Sequence, residues 1–343
     1  MAERKIHITA LSVFSCLAVV CLHTSKFWTF TKSIGWIASN AVESFFYFAV
    51  PVFLMISGAT LIDYRERYTT AEYFKKRINK TVIPFLFWSA FSMVFSFWIN
   101  NSFPTGFNLF DIINSIITYK YSRIYYFFMI LYGIYISIPV ISLIPKESRQ
   151  KCFLYIMLTG FVVNSLLPFV PVITNDKISH NANFSFYVCS GFLIYPIIGY
   201  YLNNYKLSGK AKLTVLLLGF AGLLTSFTAT AILSWRAGEI VDKYKGYLSV
   251  PGILYSSAVF LLFKMIPFVR FPKFVLKAIQ FFSGQTFGIY LIHILLLRLF
   301  GKVFDYSFFN PIMRLVLAVI LFVLSGIIIK ILQKIPFVRR IVP

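Results

Sequence analysis

Charge is what this chain has least of. Of its 343 residues only 13% are Asp, Glu, Lys or Arg, whereas 59% are hydrophobic. A soluble globular domain carries roughly 25% charged residues, so too little polar surface is present here to cover a water-soluble particle. This argues against a soluble enzyme, a disordered chain and a nucleic-acid-binding domain, and leaves a polytopic membrane protein. Carboxylates are the scarcer sign, 11 against 33 Lys and Arg, for a net charge of +22. An excess that large suggests nucleic acid when it gathers on one face. Here the basic residues fall in short clusters between apolar runs, the pattern of positive-inside loops. Cysteine is also sparse. Cys16, Cys21, Cys152 and Cys189 lie within or beside apolar segments with no CxxC pair, which reads as lipid- or core-facing thiols rather than a disulfide or metal site. No metal-ligand constellation and no phosphate-cradling Gly loop is present. There is also no chain of intramembrane carboxylates such as proton-coupled transporters use, which favours group transfer over pumping.

Long apolar runs fill the rest. A spanning helix needs about 20 mostly apolar residues, and ten segments qualify: 6–24, 38–62, 81–99, 124–144, 152–173, 184–202, 213–235, 248–263, 278–297 and 309–329. They predict an all-α transmembrane helix bundle forming one membrane domain over 1–343, without long soluble insertions or internal repeats. Residues 106–119 are too short and broken to span and are expected as a surface helix or a re-entrant turn. The first span follows Arg4 and Lys5 in the manner of a signal peptide, but no small-residue cleavage pattern follows it, so it is expected to be retained. Placing the N-terminus inside puts about two thirds of the Lys and Arg residues on the inner side. Both termini are then cytoplasmic.

Polar residues inside a bilayer are costly, so each needs a reason. There are four histidines. His7 opens the first span on the inner side, His23 closes it on the outer side, His180 lies in an outer loop and His293 lies deep in the outer half of the ninth span. An imidazole is the natural proton acceptor for a hydroxyl nucleophile; an interfacial ring bonded to a backbone carbonyl is the plainer role. Glu43 is the carboxylate near a span at the outer level. It is a candidate to orient His23 or bind a cation, or else a solvated residue at the mouth of the second span. Lys76, Arg77 and Lys80, three and four apart, share one face if they enter the third span as a helix. That face suits the phosphates of a nucleotide-like donor, and equally suits anchoring to anionic lipid.

Four segments together resemble one family: Leu17–Thr24 with His23, the run Val50-Pro51-Val52-Phe53-Leu54-Met55-Ile56-Ser57-Gly58, the stretch from Lys76-Arg77-Ile78-Asn79-Lys80 to Pro84, and Phe287-Gly288-Ile289-Tyr290-Leu291-Ile292-His293. In order, spacing and ten-span layout the chain resembles the acyltransferase-3 family of bacterial integral-membrane acyltransferases over essentially its whole length. The resemblance implies O-acetylation of a cell-surface polysaccharide or lipid-linked glycan in the bacterial cytoplasmic membrane. The donor would be cytoplasmic acetyl-CoA or another short acyl-CoA, with no permanently bound cofactor, no metal and no nucleic-acid partner. His23 would be general base or transient acyl carrier. Arg77 and Lys80, with Lys76, would hold CoA phosphates, and His293, Tyr290 and Glu43 would help place the acceptor. Ser57 and Gly58 read as close helix packing. The family's first span usually carries Asp, Arg and His; the matching positions here are Thr9, Ser12 and His23, so both charges are missing. Lys80 replaces the second Arg of the inner-loop motif, Arg123-Ile124-Tyr125 stands where His-Leu-Trp is common, and Tyr47 replaces an Arg before the Val-Pro run. Two readings stay beside the enzymatic one: a transporter or flippase of a lipid-linked glycan, and a catalytically silent partner of a glycan-assembly complex, toward which Ser12 points. With CoA inside and His23 toward the outside, either the acyl end reaches outward through a cleft or the acceptor reaches inward.

Overall fold

Apolar runs become helices in this chain, and polar residues with spare side-chain oxygens mark where the helices begin. The computed structural model describes residues 6–101 and 108–342, and contains no strand among them; Arg4, Lys5 and Gly106 of the sequence reading lie outside the described residues. The first pass is α1 (Ile6–Thr24). The second opens at Ser33, whose side chain accepts the Trp36 N–H, and runs through α2 (Ile34–Phe46) and α3 (Ala49–Leu61). The predicted 38–62 span is thus two helices. Pro51 has no N–H to donate to the carbonyl four residues back, and its ring crowds that carbonyl, so the break falls at Tyr47 and Phe48.

A capping box between Thr69 and Glu72 starts α4 (Thr70–Arg77), which passes through a π turn (Ile78–Val82) into α5 (Ile83–Asn100). A second capping box, Asn108 with Asp111, starts α6 (Leu109–Ile117). Leu109, Phe110, Ile113 and Ile117 of α6 are exposed, so of the two expectations for this segment the surface helix holds. Then follow α7 (Tyr126–Ile141), α8 (Lys146–Phe161), a π turn (Val162–Leu166) and α9 (Leu167–Thr174). The remainder is α10 (Ile194–Asn204), α11 (Gly209–Ala237), α12 (Val250–Met265), α13 (Lys273–Ser283), α14 (Thr286–Val303) and α15 (Pro311–Leu332).

Among the described residues eight helices or stacked helix pairs have the length and hydropathy to cross a membrane, while α12 is shorter and α10 shorter still. Two expected spans are corrected. The 184–202 span is helical only from Ile194, because residues before it are taken up in two short turns, Tyr187–Cys189 and Gly191–Leu193. Asn164, in the π turn between α8 and α9, satisfies that unwound backbone: its Nδ2 donates to the carbonyls of Phe186 (2.9 Å) and Cys189 (3.0 Å), and its Oδ1 accepts the Phe186 N–H (2.8 Å). The 278–297 span is split at Gly284 and Gln285, and the crossing helix is α14. Gln285 is buried and its side chain is tied to Gln333 beyond α15, which fixes the break where an apolar run alone reads as continuous.

The tightest crossing is α3 on α10. A Cβ added at Gly58 would lie 2.0 Å from the Pro196 carbonyl oxygen, and one at Gly199 2.1 Å from that of Met55. Two glycines of opposite helices thus let the backbones touch, as expected for Gly58 from the sequence. We expect Gly199→Leu to drive these helices apart and lower the unfolding midpoint in detergent, by about 1–3 kcal/mol or more of overpacking. Gly133, on the exposed side of α7, meets nothing within 4 Å, so Gly133→Ala serves as the neutral control. Equal midpoints for the two variants would remove the crossing from the account of stability.

Candidate functional site

Side chains on one face of α1 set the axis of the site. Ile8, Ser12 and Val19 line a cavity of about 850 Å³, within the usual range of small-molecule sites. At about 1.5 Å rise per residue, Ile8 to Val19 covers roughly 16 Å of depth. Phe53, Ile56 and Ser57 of α3 line a second wall, and Thr286, Phe287 and Tyr290 of α14 a third. The Val-Pro run therefore divides its labour: Gly58 packs on α10 while Phe53, Ile56 and Ser57 face the cavity.

The mouth of the cavity is electropositive. Arg67, Lys76, Arg77 and Lys80 line it together with Asp63 and Glu66. Both carboxylates are neutralised: Asp63 is 2.6 Å from Arg149 and accepts a hydrogen bond from Tyr200 (3.0 Å), and Glu66 is paired with Lys146. Among the described residues no carboxylate lies within ion-pair distance of Arg67 or Arg77. The Arg77 guanidinium stands over the rings of Tyr73 and Tyr135 at 5.8 and 5.5 Å, and its buried Nε has no hydrogen-bond partner. Lys76 Nζ sits 3.7 Å from the Tyr68 ring centre. Lys76, Arg77 and Lys80 do not share a regular α-helical face as expected, since Arg77 ends α4 and Lys80 lies in the π turn. Pro84 lacks the N–H that would bond the Lys80 carbonyl, and the turn widens ahead of it. All three nonetheless reach the same mouth.

One helical turn beyond Val19 on the same face of α1 stands His23, and one turn beyond Tyr290 on α14 stands His293. Their ring centres are 5.3 Å apart. His293 is buried, and its Nδ1 lies 3.0 Å from the Ile289 carbonyl oxygen. A carbonyl only accepts, so Nδ1 carries the proton and Nε2 presents its lone pair; that Nε2 has no partner. His23 keeps an accessible ring although it lies among the helices. Tyr290 is 6.0 Å from His293 between ring centres, and its hydroxyl is bound to the Ile124 carbonyl. His7 is elsewhere, bonded to Asn203 at 3.2 Å at the opposite end of α1.

Glu43 is buried rather than solvated at the mouth of its span, which corrects the plainer expectation. Its charged neighbour is Lys245, also buried, from the loop between α11 and α12. Lys245 donates to Asn40 and stands 4.1 Å from the Phe27 ring. Burial pushes the Lys245 ammonium below its ordinary value, against the opposing pull of Glu43 and Asp242. Beside this pair Tyr47 stacks on Tyr247 at 4.4 Å, and Tyr126 faces both Tyr247 and Tyr290. The position of the missing Arg thus belongs to an aromatic cluster leading toward the histidines. Arg67, Tyr126, Lys245 and Tyr247 escaped the sequence reading. Arg67 shares the basic loop of Arg77 and was within reach of it, whereas nothing local distinguishes Lys245 from its neighbour Lys243.

Compared with known proteins, residues 8–331 match the family model described as an acyltransferase domain. No curated protein and no solved structure matches the chain.

Proposed function

The chain belongs to the acyltransferase-3 family, the membrane acyltransferases, and from that premise we propose that it moves a short acyl group, acetyl first, from cytoplasmic acyl-CoA to a hydroxyl of a bacterial cell-surface glycan or its lipid-linked precursor. The observation that carries this reading is the alignment of an electropositive mouth, a deep cavity and a histidine pair along α1 and α14. CoA phosphates bind at Arg77, Lys80 and Lys76, and the pantetheine arm runs up the cavity past Ser57 toward Tyr290. This arrangement supports a donor that reaches outward.

His23 is the general base. The acceptor oxygen attacks the thioester carbonyl carbon as His23 takes the hydroxyl proton. The tetrahedral species then collapses, the C–S bond breaks, and the proton passes to the departing CoA sulfur. His293 is a positioning residue. Its Nδ1–H is spent on Ile289, so Nε2 is available to accept from the imidazolium formed at His23. Thr9 and Ser12 leave this region without the family's Asp and Arg, and the positive charge at the cavity mouth is supplied by α4 and its π turn instead.

The direct test is mass spectrometry of surface glycan with and without the protein, where a difference of one acyl group identifies both reaction and acyl. Purified Arg77→Ala/Lys80→Ala is expected to raise KM for acetyl-CoA by about tenfold or more per lost contact, because charge-assisted hydrogen bonds are worth about 1.5–3 kcal/mol. Its kcat at saturating donor should stay near wild type. An unchanged KM would return both residues to lipid anchoring. Wild-type protein that transfers nothing to any surface glycan would favour the silent-partner reading.

A further inference from the structure

Four cations at the end away from the basic mouth are not explained by the positive-inside pattern, which accounts for charge on the other face. Lys120 and Arg123 line a recess of about 500 Å³ with Tyr119 and Tyr126, and Lys120, Arg298 and Lys302 line a second of about 680 Å³ with Tyr121 and Tyr306. The two recesses meet at Lys120. All four side chains are exposed, and among the described residues none is paired with a carboxylate. Arg298 and Lys302 are held by neutral groups only: Arg298 donates to Ser96 Oγ and the Tyr121 carbonyl, both at 3.1 Å, and Lys302 to the Ile99 carbonyl at 3.0 Å. Their charges are therefore oriented but not cancelled.

The groove also leads to the chemistry. Tyr126, which lines it, faces Tyr290, and Arg298 and Lys302 are carried by the same helix α14 as Tyr290 and His293. Resting on the acyltransfer reading above, we propose that this groove is the acceptor site and that the acceptor is an anionic glycan, one whose sugars bear phosphate or carboxylate groups. Cations without carboxylate partners recognise the anionic groups. Tyrosine rings at the walls offer apolar faces with polar edges for the sugar rings between them. Anionic lipid headgroups would meet the same cations, but a recessed, tyrosine-lined groove whose wall residue Tyr126 neighbours Tyr290 fits a chain that must bring a hydroxyl to the histidines.

The test uses intact protein in vesicles and cells. Surface glycan from producing cells is separated into neutral and acidic pools by anion exchange, and each is weighed for added acyl. In parallel, binding of a galacturonate hexamer and of its methyl ester is measured in phosphatidylcholine vesicles, with and without phosphatidylglycerol. We expect the acyl group in the acidic pool, and the charged hexamer bound at least tenfold more tightly than the ester, with affinity falling as salt rises. Lys120→Gln/Arg123→Gln/Lys302→Gln should lose that preference and the acidic-pool acylation; the wild-type salt dependence tests the idea even if this variant fails to fold. Acyl confined to the neutral pool, wild-type acylation by the triple variant, or equal binding of hexamer and ester would each overturn the proposal. So would a phosphatidylglycerol-dependent effect without hexamer binding, which assigns the groove to lipid. If neither pool gains acyl from wild-type protein while the hexamer still binds, the acyltransfer reading fails and the anion site stands.

Discussion

Replacing His23 with alanine is expected to lower acyl transfer by about 100- to 10,000-fold, the usual worth of a placed general base. A sugar hydroxyl is a poor nucleophile, and among the described residues at the head of the cavity His23 is the imidazole with an accessible ring. The loss should fall on kcat, because His23 lies a turn beyond the cavity lining that would hold the donor. His293→Ala should cost less than His23→Ala and should shift the pH dependence of kcat, since it removes the acceptor proposed for the His23 proton but not the base. Purified variants would be checked for monodispersity and assayed with acetyl-CoA and isolated surface glycan. Wild-type kcat from the His23→Ala protein would remove it from the mechanism.

Arg149→Met is expected to cost about 3–5 kcal/mol of stability, the range for breaking a buried ion pair from one side. Arg149 is 4% exposed. It bridges the carbonyls of Ser142 and Ile144, the Asp63 carboxylate and the Tyr200 hydroxyl. Methionine fills much of the volume but leaves those acceptors without their donor. Asp63 is partly open to solvent, which places the expected cost nearer the lower bound. The same change has a second consequence. An uncompensated Asp63 carboxylate would face the cavity mouth and repel donor phosphates, so KM for acetyl-CoA should rise. Arg149→Met/Asp63→Asn should recover most of the KM and only part of the stability, as the carbonyls remain orphaned. Thermal unfolding in detergent and donor titration separate the two effects. A double variant no better than the single in either measurement would sink the account of the pair.

The helices were legible because apolar runs mark them. The break ahead of Pro51 and the starts at Thr69 and Asn108 went unread, with 38–62 passing for one span, although each is governed by residues within a turn of it. His23 stood out as one of four histidines and Ser12 through the resemblance alone, whereas Val19, on the same face of α1, did not. Two span boundaries were not. The stretch before Ile194 is apolar enough to pass for a helix, and what unwinds it is Asn164, more than twenty residues earlier. The run through Phe281 and Phe282 reads on into α14 until Gln285 is seen bonded to Gln333. In the candidate site, residues were identified singly but their grouping was not. Glu43 beside Lys245, and His23 beside His293, are meetings of distant segments, and no local period encodes them. Nor does spacing reveal that Asp63 and Glu66 are neutralised, which is what leaves the mouth positive.

Helix α10 has a bearing on how the molecule is made. At about 1.5 Å per residue its eleven residues reach roughly 16 Å, about half of a ~30 Å hydrocarbon core. It is buried along nearly its whole length, with backbone contact to α3 and unwound chain before it. Such a segment has neither the length nor the satisfied backbone to enter lipid alone. Its partners α3 and α8, and Asn164, leave the ribosome earlier, while α12, whose Lys264 bonds the Leu202 carbonyl, follows. Biogenesis therefore has an order built into the chain: the first half of the bundle must assemble around a vacant slot, and α10 is received into protein rather than inserted into membrane.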